Sequence, residues 1–340
     1  MKQELNMGKD SIGKLLASTA IPAVIGMLLQ SIYMMIDGIF VGQGVGPEGL
    51  AAVNLAMPYL QIGSAVAFMI GVGGSTYTSI ARGAGDDQRA RRIYSMAGKV
   101  LVLSSVVLSA TGMLFSKQIA SILGASPNIE AMVAQYVFWL SAFMVFFMAS
   151  MYFDSGMRIL GRPMKAMYAL GFVAIANIAL DYLLIMVLDM GVQGAAIATG
   201  IAQMGGFLFL VGNFTEKDSV LKLQNTKIVW RDLKPIIYNG SSEFATGIAL
   251  GISTFLFNWI LMAQGGALAV SAYSIVMYIA QIVSMIYFGV ATGMQPIISY
   301  NHGAGDQKRV GLTLKYAMGT VLLTGLVAGV ILFFNNGPLS

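Results

Sequence analysis

The sequence predicts an all-α polytopic membrane protein, and three observations lead to this prediction. Hydrophobic residues make up 57% of the 340 residues and charged residues only 10%, against roughly 25% charged in a typical soluble domain. The mean hydropathy of +0.75 is too high for a chain whose whole surface meets water, because a globular domain still needs a polar surface. The charged residues also fall in short groups between apolar runs of about 20 residues, the length that crosses a bilayer.

Nine apolar segments are long enough to span a membrane, and each is predicted to be a helix. In chain order they cover about 15–42, 50–79, 93–115, 131–157, 163–187, 194–214, 235–263, 268–298 and 312–334. The connections Gly42–Gly49, Leu188–Gly194 and Ala263–Ala267 contain no Lys or Arg, whereas those after the second, fourth, sixth and eighth spans are basic. Of the 20 Lys and Arg residues, only Lys117 falls on the other side. The positive-inside rule assigns the basic side and the N-terminus to the cytoplasm.

Composition also excludes several classes of function. The chain has no cysteine, and its one histidine, His302, cannot form a multi-histidine metal site. The net charge of +5 is dispersed over the connections, so we expect no nucleic-acid partner. The segment Met1–Lys14 lacks a signal-peptide cleavage pattern. We therefore predict a multi-pass membrane protein that is not an enzyme.

An internal repeat divides the chain. Gly83-Ala84-Gly85-Asp86 recurs as Gly303-Ala304-Gly305-Asp306, and further matches at the same offset of 220 extend over about 50 residues. Six spans separate the two copies, so both have the same orientation, as in parallel-repeat transporters. We predict an N-lobe of six helices at 1–220 and an incomplete C-lobe of three helices at 221–340. The loops themselves are predicted to be structural, with glycines in the turn and the aspartate capping the next helix.

Four further segments carry a family resemblance. They are Tyr33-Met34-Met35-Ile36-Asp37 followed by Gly42, Arg158-Ile159-Leu160-Gly161-Arg162-Pro163, Asn177-Ile178-Ala179-Leu180-Asp181, and Gly191-Val192-Gln193-Gly194-Ala195-Ala196-Ile197-Ala198-Thr199. In this order, with the repeated loop, they resemble the multidrug and toxic-compound extrusion (MATE) exporters. The resemblance implies two lobes around a V-shaped cavity and export of organic cations or drugs in antiport with H⁺ or Na⁺. It also implies a location in the cell (inner) membrane. Members carry twelve spans, so the last three are expected to be missing here.

Two acidic residues inside the spans are candidates for cation coupling. Asp37 and Asp181 lie at similar depths in helices that run outward, and Thr199 falls at that level in the next span. Tyr33 and Asn177 precede the two aspartates by four residues, so each shares a helix face with its aspartate. Neighbouring carboxylates can share a proton, and the oxygen set also suits Na⁺. The resemblance places the N-lobe coupling site on these positions; the alternative is that they only form interhelical hydrogen bonds.

Asp154 and Glu243 are possible secondary sites. Asp154 lies four residues before Arg158, which favours an i,i+4 ion pair at the membrane interface. Glu243 lies in the seventh span, where the resemblance allows an acidic residue. Asp37 corresponds to Phe257 in the second half, so coupling chemistry is expected mainly in the first.

Two other functions remain open at this point. One is a lipid-linked-precursor flippase of the same superfamily, which is expected to have a strongly cationic cavity, whereas the intramembrane charges here are acidic. The other is an inactive transporter fragment that serves as an assembly or regulatory partner. We expect small cationic substrates, a lipid bilayer around the chain and no cofactor beyond the coupling ion. The sequence does not indicate an oligomeric state.

Overall fold

The chain folds into a bundle of long helices. The computed structural model describes residues 5–216 and 219–334, and within 247–282 and 328–334 it describes the backbone with only a few side chains. Every regular element over these described ranges is helical. In chain order the helices are α1 (Ile12–Gly44), α2 (Pro47–Gly83), α3 (Asp87–Leu114), α4 (Ser116–Ile122), α5 (Glu130–Ala142), α6 (Met144–Ile159), α7 (Pro163–Asp181), a π-helix (Tyr182–Val187), α8 (Gly191–Thr215), α9 (Trp230–Gly303) and α10 (Gln307–Phe334).

The helices have the length and composition of membrane spans. Among the described residues, six are long and apolar enough to cross a bilayer, and the pair α5 and α6 makes a seventh span with a bend of 52°. The all-α polytopic fold predicted from the sequence is therefore confirmed. The short helix α4 was not predicted, because it lies in the connection after the third span.

The bend in the fourth span lies at Phe143. Its backbone amide donates to the Leu140 carbonyl at 3.3 Å, three residues back rather than four. Gly200 of α8 lies against the ring, because a Cβ at Gly200 would sit 2.2 Å from Phe143 Cγ. The bend therefore lies where the regular i→i−4 hydrogen bonding is interrupted and the Phe143 ring packs against α8.

The element α9 is too long for one span. Its 74 residues would extend roughly 110 Å as a straight α-helix, several times the thickness of a bilayer core. Near its start, the carbonyl of Ile236 lies against Gly73 of α2, and the carbonyl of Met69 lies against Gly240. From the first of these contacts to the second, the residue number rises in α9 and falls in α2, so this part of α9 runs antiparallel to α2.

The end of α9 runs the opposite way. Gln295 donates to Thr76 Oγ1 at 2.9 Å, and Gly303 lies against the Ile80 carbonyl, so this part runs parallel to α2. The chain therefore reverses direction within α9, which contains both the seventh and the eighth predicted spans. The predicted connection Ala263–Ala267 lies outside the residues whose side chains the structure describes.

The two copies of the repeat cross at equivalent glycines. A Cβ at Gly83 would lie 1.8 Å from the Tyr300 carbonyl oxygen, and a Cβ at Gly303 would lie 2.0 Å from the Ile80 carbonyl oxygen. The residues of one contact occupy the positions in the repeat that are equivalent to those of the other contact. The crossing therefore has approximate two-fold symmetry. No side chain larger than hydrogen fits, and the two backbones touch on the basic side of the bundle.

The repeated loops have the same conformation. The second glycine of each loop has a positive φ, 79° in the first copy and 76° in the second, which favours glycine. The aspartate side chain that follows accepts a hydrogen bond from the backbone amide three residues on, Asp86 from Arg89 at 2.9 Å and Asp306 from Arg309 at 3.0 Å. The predicted capping role of both aspartates is confirmed.

Candidate functional site

Two carboxyl side chains are buried between neighbouring helices. Asp37 of α1 is 8% exposed, and Asp181, the last residue of α7, is 0% exposed. The helices α1 and α7 pack along each other. Beyond the carboxyls, Gly44 lets α1 approach the π-helix, because a Cβ there would lie 2.6 Å from Ile185 Cγ2. Close packing of α1 on α7 therefore brings the two carboxyls together.

The two carboxyl groups lie next to each other, and three of their four oxygens lack a donor among the described residues. The Asp37 carboxyl lies within hydrogen-bonding reach of the Asp181 carboxyl. Neither Asp181 oxygen, nor Asp37 Oδ1, receives a hydrogen bond from the described part of the protein. Ionised carboxylates are acceptors only, and two adjacent negative charges repel strongly in a low dielectric. The arrangement therefore favours a shared proton or a bound cation.

Asn177 adds another oxygen to the pair. Its Nδ2 donates to Thr199 Oγ1 of α8 at 3.3 Å, while its Oδ1 has no donor among the described residues. Asn177 is fully buried and lies one turn before Asp181 on the same face of α7. Four buried oxygens without a protein donor thus come from Asp37, Asn177 and Asp181.

Tyr33 lies beside the carboxyls and extends the cluster to further polar residues. Its hydroxyl lies near the side chains of Gln203 and Gln30 and near both aspartates. Tyr136 of α5, 2% exposed, also lies near the two carboxyls and Tyr33. The structure thus brings together all five residues named from the sequence, and it adds three that were not.

The three additional residues differ in how far the sequence could have identified them. Gln203 follows Thr199 by four residues and shares its helix face, and Gln30 precedes Tyr33 by three. Helical spacing around the named residues could therefore have found both glutamines. Tyr136 lies in a span without a predicted site residue nearby, so only the tertiary fold connects it to the pair.

The backbone changes its hydrogen bonding directly after Asp181. The π-helix Tyr182–Val187 follows, and at its end the Leu188 amide donates to the Leu183 carbonyl at 2.9 Å, five residues back. A π-turn rotates the following residues relative to a regular α-helix, and such turns occur frequently at functional sites. The last α-helical position of α7 is thus occupied by the buried carboxyl.

Most of the chain matches a known protein family. The model of the MatE family matches residues 22–183 and 244–340, well over half of the chain. The first matched segment contains Asp37, Asn177 and Asp181. The chain belongs to the MatE family.

Curated relatives and solved structures agree with this assignment. Multidrug export protein MepA of Staphylococcus saprophyticus subsp. saprophyticus is 28% identical over 340 residues, covering 97% of this chain and 73% of MepA. MepA of Staphylococcus aureus (strain MSSA476) is 29% identical over 330 residues, covering 94% of this chain and 72% of that protein. A crystal structure of MATE in complex with MaL6 matches with a TM-score of 0.91 at 24% identity, covering 98% of this chain and 75% of that one. This structural likeness shows the MATE fold.

The two other carboxylates named from the sequence lie elsewhere in this MatE-family chain. Asp154 Oδ2 and Arg158 Nη2 form an ion pair at 2.9 Å, in which Arg158 is 3% exposed; the predicted i,i+4 pair is confirmed. Glu243 is exposed on α9, one turn beyond Gly240. Neither residue belongs to the carboxyl cluster.

Proposed function

We propose that this MatE-family chain exports organic cations or drugs in antiport with H⁺ or Na⁺. In this proposal Asp37 and Asp181 bind the coupling ion, and Asn177, Tyr33 and Thr199 complete the site. The observation that carries the proposal is the pair of adjacent buried carboxyls, three of whose four oxygens receive no hydrogen bond from the described part of the protein. A polar contact that only joined helices would satisfy its acceptors with donors, whereas these oxygens are left for an ion.

The chemistry of the site suits either coupling ion. A proton held between the carboxyls turns an acceptor–acceptor contact into a hydrogen bond and removes one of the two charges. Na⁺ would instead take carboxylate, amide and hydroxyl oxygens as ligands, which hard cations prefer. Both ions neutralise the same negative charge, so the choice between them is a question for experiment.

The sign of the intramembrane charge supports cationic cargo. The basic residues lie in or near the connections, and the buried Arg158 is paired with Asp154. The buried carboxyl cluster supplies negative charge inside the bundle. A cationic substrate and the coupling ion are both attracted by this charge, so binding of one disfavours binding of the other. Entry of H⁺ or Na⁺ down its gradient therefore drives release of the substrate. The description of the relatives as multidrug export proteins supports the same substrate class.

The orientation follows from the distribution of basic residues. We place the basic side and the N-terminus in the cytoplasm. The crossing of Gly83 with Gly303 then closes the cytoplasmic side, and the carboxyl pair lies nearer the opposite side of the bundle. In this conformation the site would exchange ions with the exterior, as alternating access requires of one of its states.

The proposal is tested by export of a fluorescent cationic dye from proteoliposomes. The purified chain is compared under an imposed H⁺ gradient, an imposed Na⁺ gradient and no gradient. We expect export with at least one gradient, and loss of that export in Asp37→Asn and in Asp181→Asn. Asn has nearly the shape of Asp but lacks its charge.

Glu243→Gln is the matched control, since it removes an intramembrane carboxylate outside the cluster. It should retain gradient-driven export. Equal export in the unaltered chain and in both aspartate variants would contradict the assigned site. Absence of gradient-driven export in the unaltered chain, with dye and ion both reaching the protein, would contradict the proposed function.

A further inference from the structure

Two segments outside the membrane spans connect the lobes on the basic side. The N-terminal strap is the segment Leu5–Ser11, which precedes α1. The linker strap is the segment Ser219–Val229, which precedes α9. At the repeat offset of 220, the N-terminal strap corresponds to the end of the linker strap and the first residues of α9. Each strap therefore leads into the first helix of its own repeat.

The N-terminal strap is held by the second repeat. Arg309 Nη2 donates to the carbonyls of Met7 at 3.0 Å and Asp10 at 2.7 Å. Asn301 Nδ2 donates to the same Met7 carbonyl at 3.0 Å, and Arg309 Nε donates to Asn301 Oδ1 at 2.8 Å. Asn301 is 1% exposed. Hydrogen bonds with a charged donor are about twice as strong as neutral ones, so Arg309 is the main anchor.

The strap has its own fixed conformation and a second anchor. The Asn6 amide donates to Asp10 Oδ2 at 3.0 Å. This amide, helped by Lys14 and Arg309, holds the pKa of Asp10 below its ordinary value. At the other end, the Leu5 amide donates to the Gly161 carbonyl at 3.3 Å, in the loop between α6 and α7. The strap therefore joins a loop of the first lobe to Arg309 of the second.

The linker strap is held by the first repeat. Side chains along one face of α3 hydrogen-bond to the linker backbone at three successive points: Arg91 Nε donates to the Val220 carbonyl at 2.9 Å, Ser95 Oγ accepts from the Gln224 amide at 3.0 Å, and Lys99 Nζ donates to the Thr226 carbonyl at 3.2 Å. The repeat offset relates α3 to α10, the helix that carries Arg309. Each repeat thus holds the segment that leads into the other.

We propose that the two straps are reciprocal latches that keep the basic side of the protein closed, with Arg309 as the residue on which the N-terminal latch depends. The lobes can separate on that side only if the strap leaves Arg309 and Asn301. The latch thus biases the equilibrium between the two access states. Its role in transport rests on the proposed antiport, whereas its effect on accessibility does not.

Accessibility of a single cysteine tests the latch without requiring transport. The chain contains no cysteine, so Thr76→Cys introduces a single reporter, at the contact of α2 with Gln295. Inside-out vesicles expose the basic side to an impermeant maleimide. We expect Arg309→Ala to accelerate labelling about fivefold or more, the lower end of typical conformational coupling.

Arg89→Ala is the control. Arg89 occupies the equivalent position in the first repeat, and its side chain is exposed. It should label at the rate of the parent reporter. Equal labelling of the Arg309 and Arg89 variants would overturn the proposal.

A cross-link provides a second test that leaves Arg309 in place. A Cβ at Gly8 would lie 3.2 Å from Tyr300 Cε1, so Gly8→Cys and Tyr300→Cys can be joined by a short bifunctional maleimide. Joining them should stop dye export in protein that exports before cross-linking. Continued export at the same rate after complete cross-linking would overturn the latch but leave the proposed antiport intact.

Discussion

Substitutions of single residues in the carboxyl cluster are expected to change both activity and stability, with opposite signs. Asp37→Asn places an amide N–H donor next to the Asp181 carboxyl, where the native pair has only acceptors. We expect this variant to lose coupling and yet to gain about 1–3 kcal/mol of stability, the cost of an unsatisfied buried acceptor. Thermal unfolding in detergent, at alkaline pH and without Na⁺, measures the gain. A loss of stability as large as that of Asp37→Ala would contradict the facing-carboxyl geometry.

The Asp154–Arg158 pair should matter for folding rather than for coupling. Asp154→Ala leaves the buried Arg158 guanidinium without its counter-ion, and removal of one partner from a buried pair costs about 3–5 kcal/mol. The control is Lys14→Ala, because the Lys14–Asp10 pair is exposed, with side-chain exposures of 56% and 26%. Its loss should cost about 1 kcal/mol or less. Equal unfolding temperatures for the two variants would show that the buried pair is not needed for stability.

The sequence points to residues that the structure brings together where a polar group inside a span is costly. Asp37 and Asp181 are conspicuous because a carboxylate inside an apolar span needs a physical reason. Asn177 and Tyr33 then follow from helical spacing. Tyr136 has no such signal, because tyrosines are common in membrane helices and only the packing of α5 brings it to the pair.

At the scale of helices, the glycine crossing makes a prediction with a clear sign. Gly83→Ala and Gly303→Ala each place a methyl group onto a backbone carbonyl of the other helix, so both should lower thermal stability and loosen the basic side. Gly71→Ala, on the same helix α2, has no neighbouring atom within 4 Å of the added Cβ. It should raise stability by about 0.8–1.0 kcal/mol through helix propensity. Stabilisation by all three substitutions would contradict the close crossing.

Hydropathy located the spans well, but it did not locate their irregularities. Apolar length predicts a span because the bilayer sets that length. The π-helix after Asp181 and the bend at Phe143 come from shifts in hydrogen-bond partners, which leave no periodic signal in an apolar stretch. For the same reason the sequence did not predict that α9 would be one helical element with two oppositely directed ends.

For the whole molecule, the positive-inside rule assigns each end of the bundle to one side of the membrane. In intact cells, Lys117→Cys should react with an impermeant maleimide, because Lys117 is the one basic residue placed outside. Arg89→Cys should react only after permeabilisation. The reverse labelling pattern would contradict the orientation and, with it, the direction of export.

The internal repeat explains why its two copies match in backbone at the described turns but differ in chemistry. The crossing glycines, the repeated turns and the direction of the straps obey the repeat, since they depend on backbone geometry. The position of Asp37 is occupied by Phe257 in the second copy, so the facing carboxyls belong to the first lobe. The sequence predicted this asymmetry, but the reciprocal straps required the three-dimensional contacts.

The most direct test of the central claim is competition between the coupling ion and a cationic substrate at equilibrium. Binding of a fluorescent cationic dye to the purified protein is measured over a series of pH values and Na⁺ concentrations. We expect dye affinity to fall as the H⁺ or Na⁺ concentration rises. This dependence should disappear in Asp37→Asn and Asp181→Asn but persist in Glu243→Gln. Dye affinity that is independent of both ions in the unaltered chain, or equally dependent in all four proteins, would contradict the central claim.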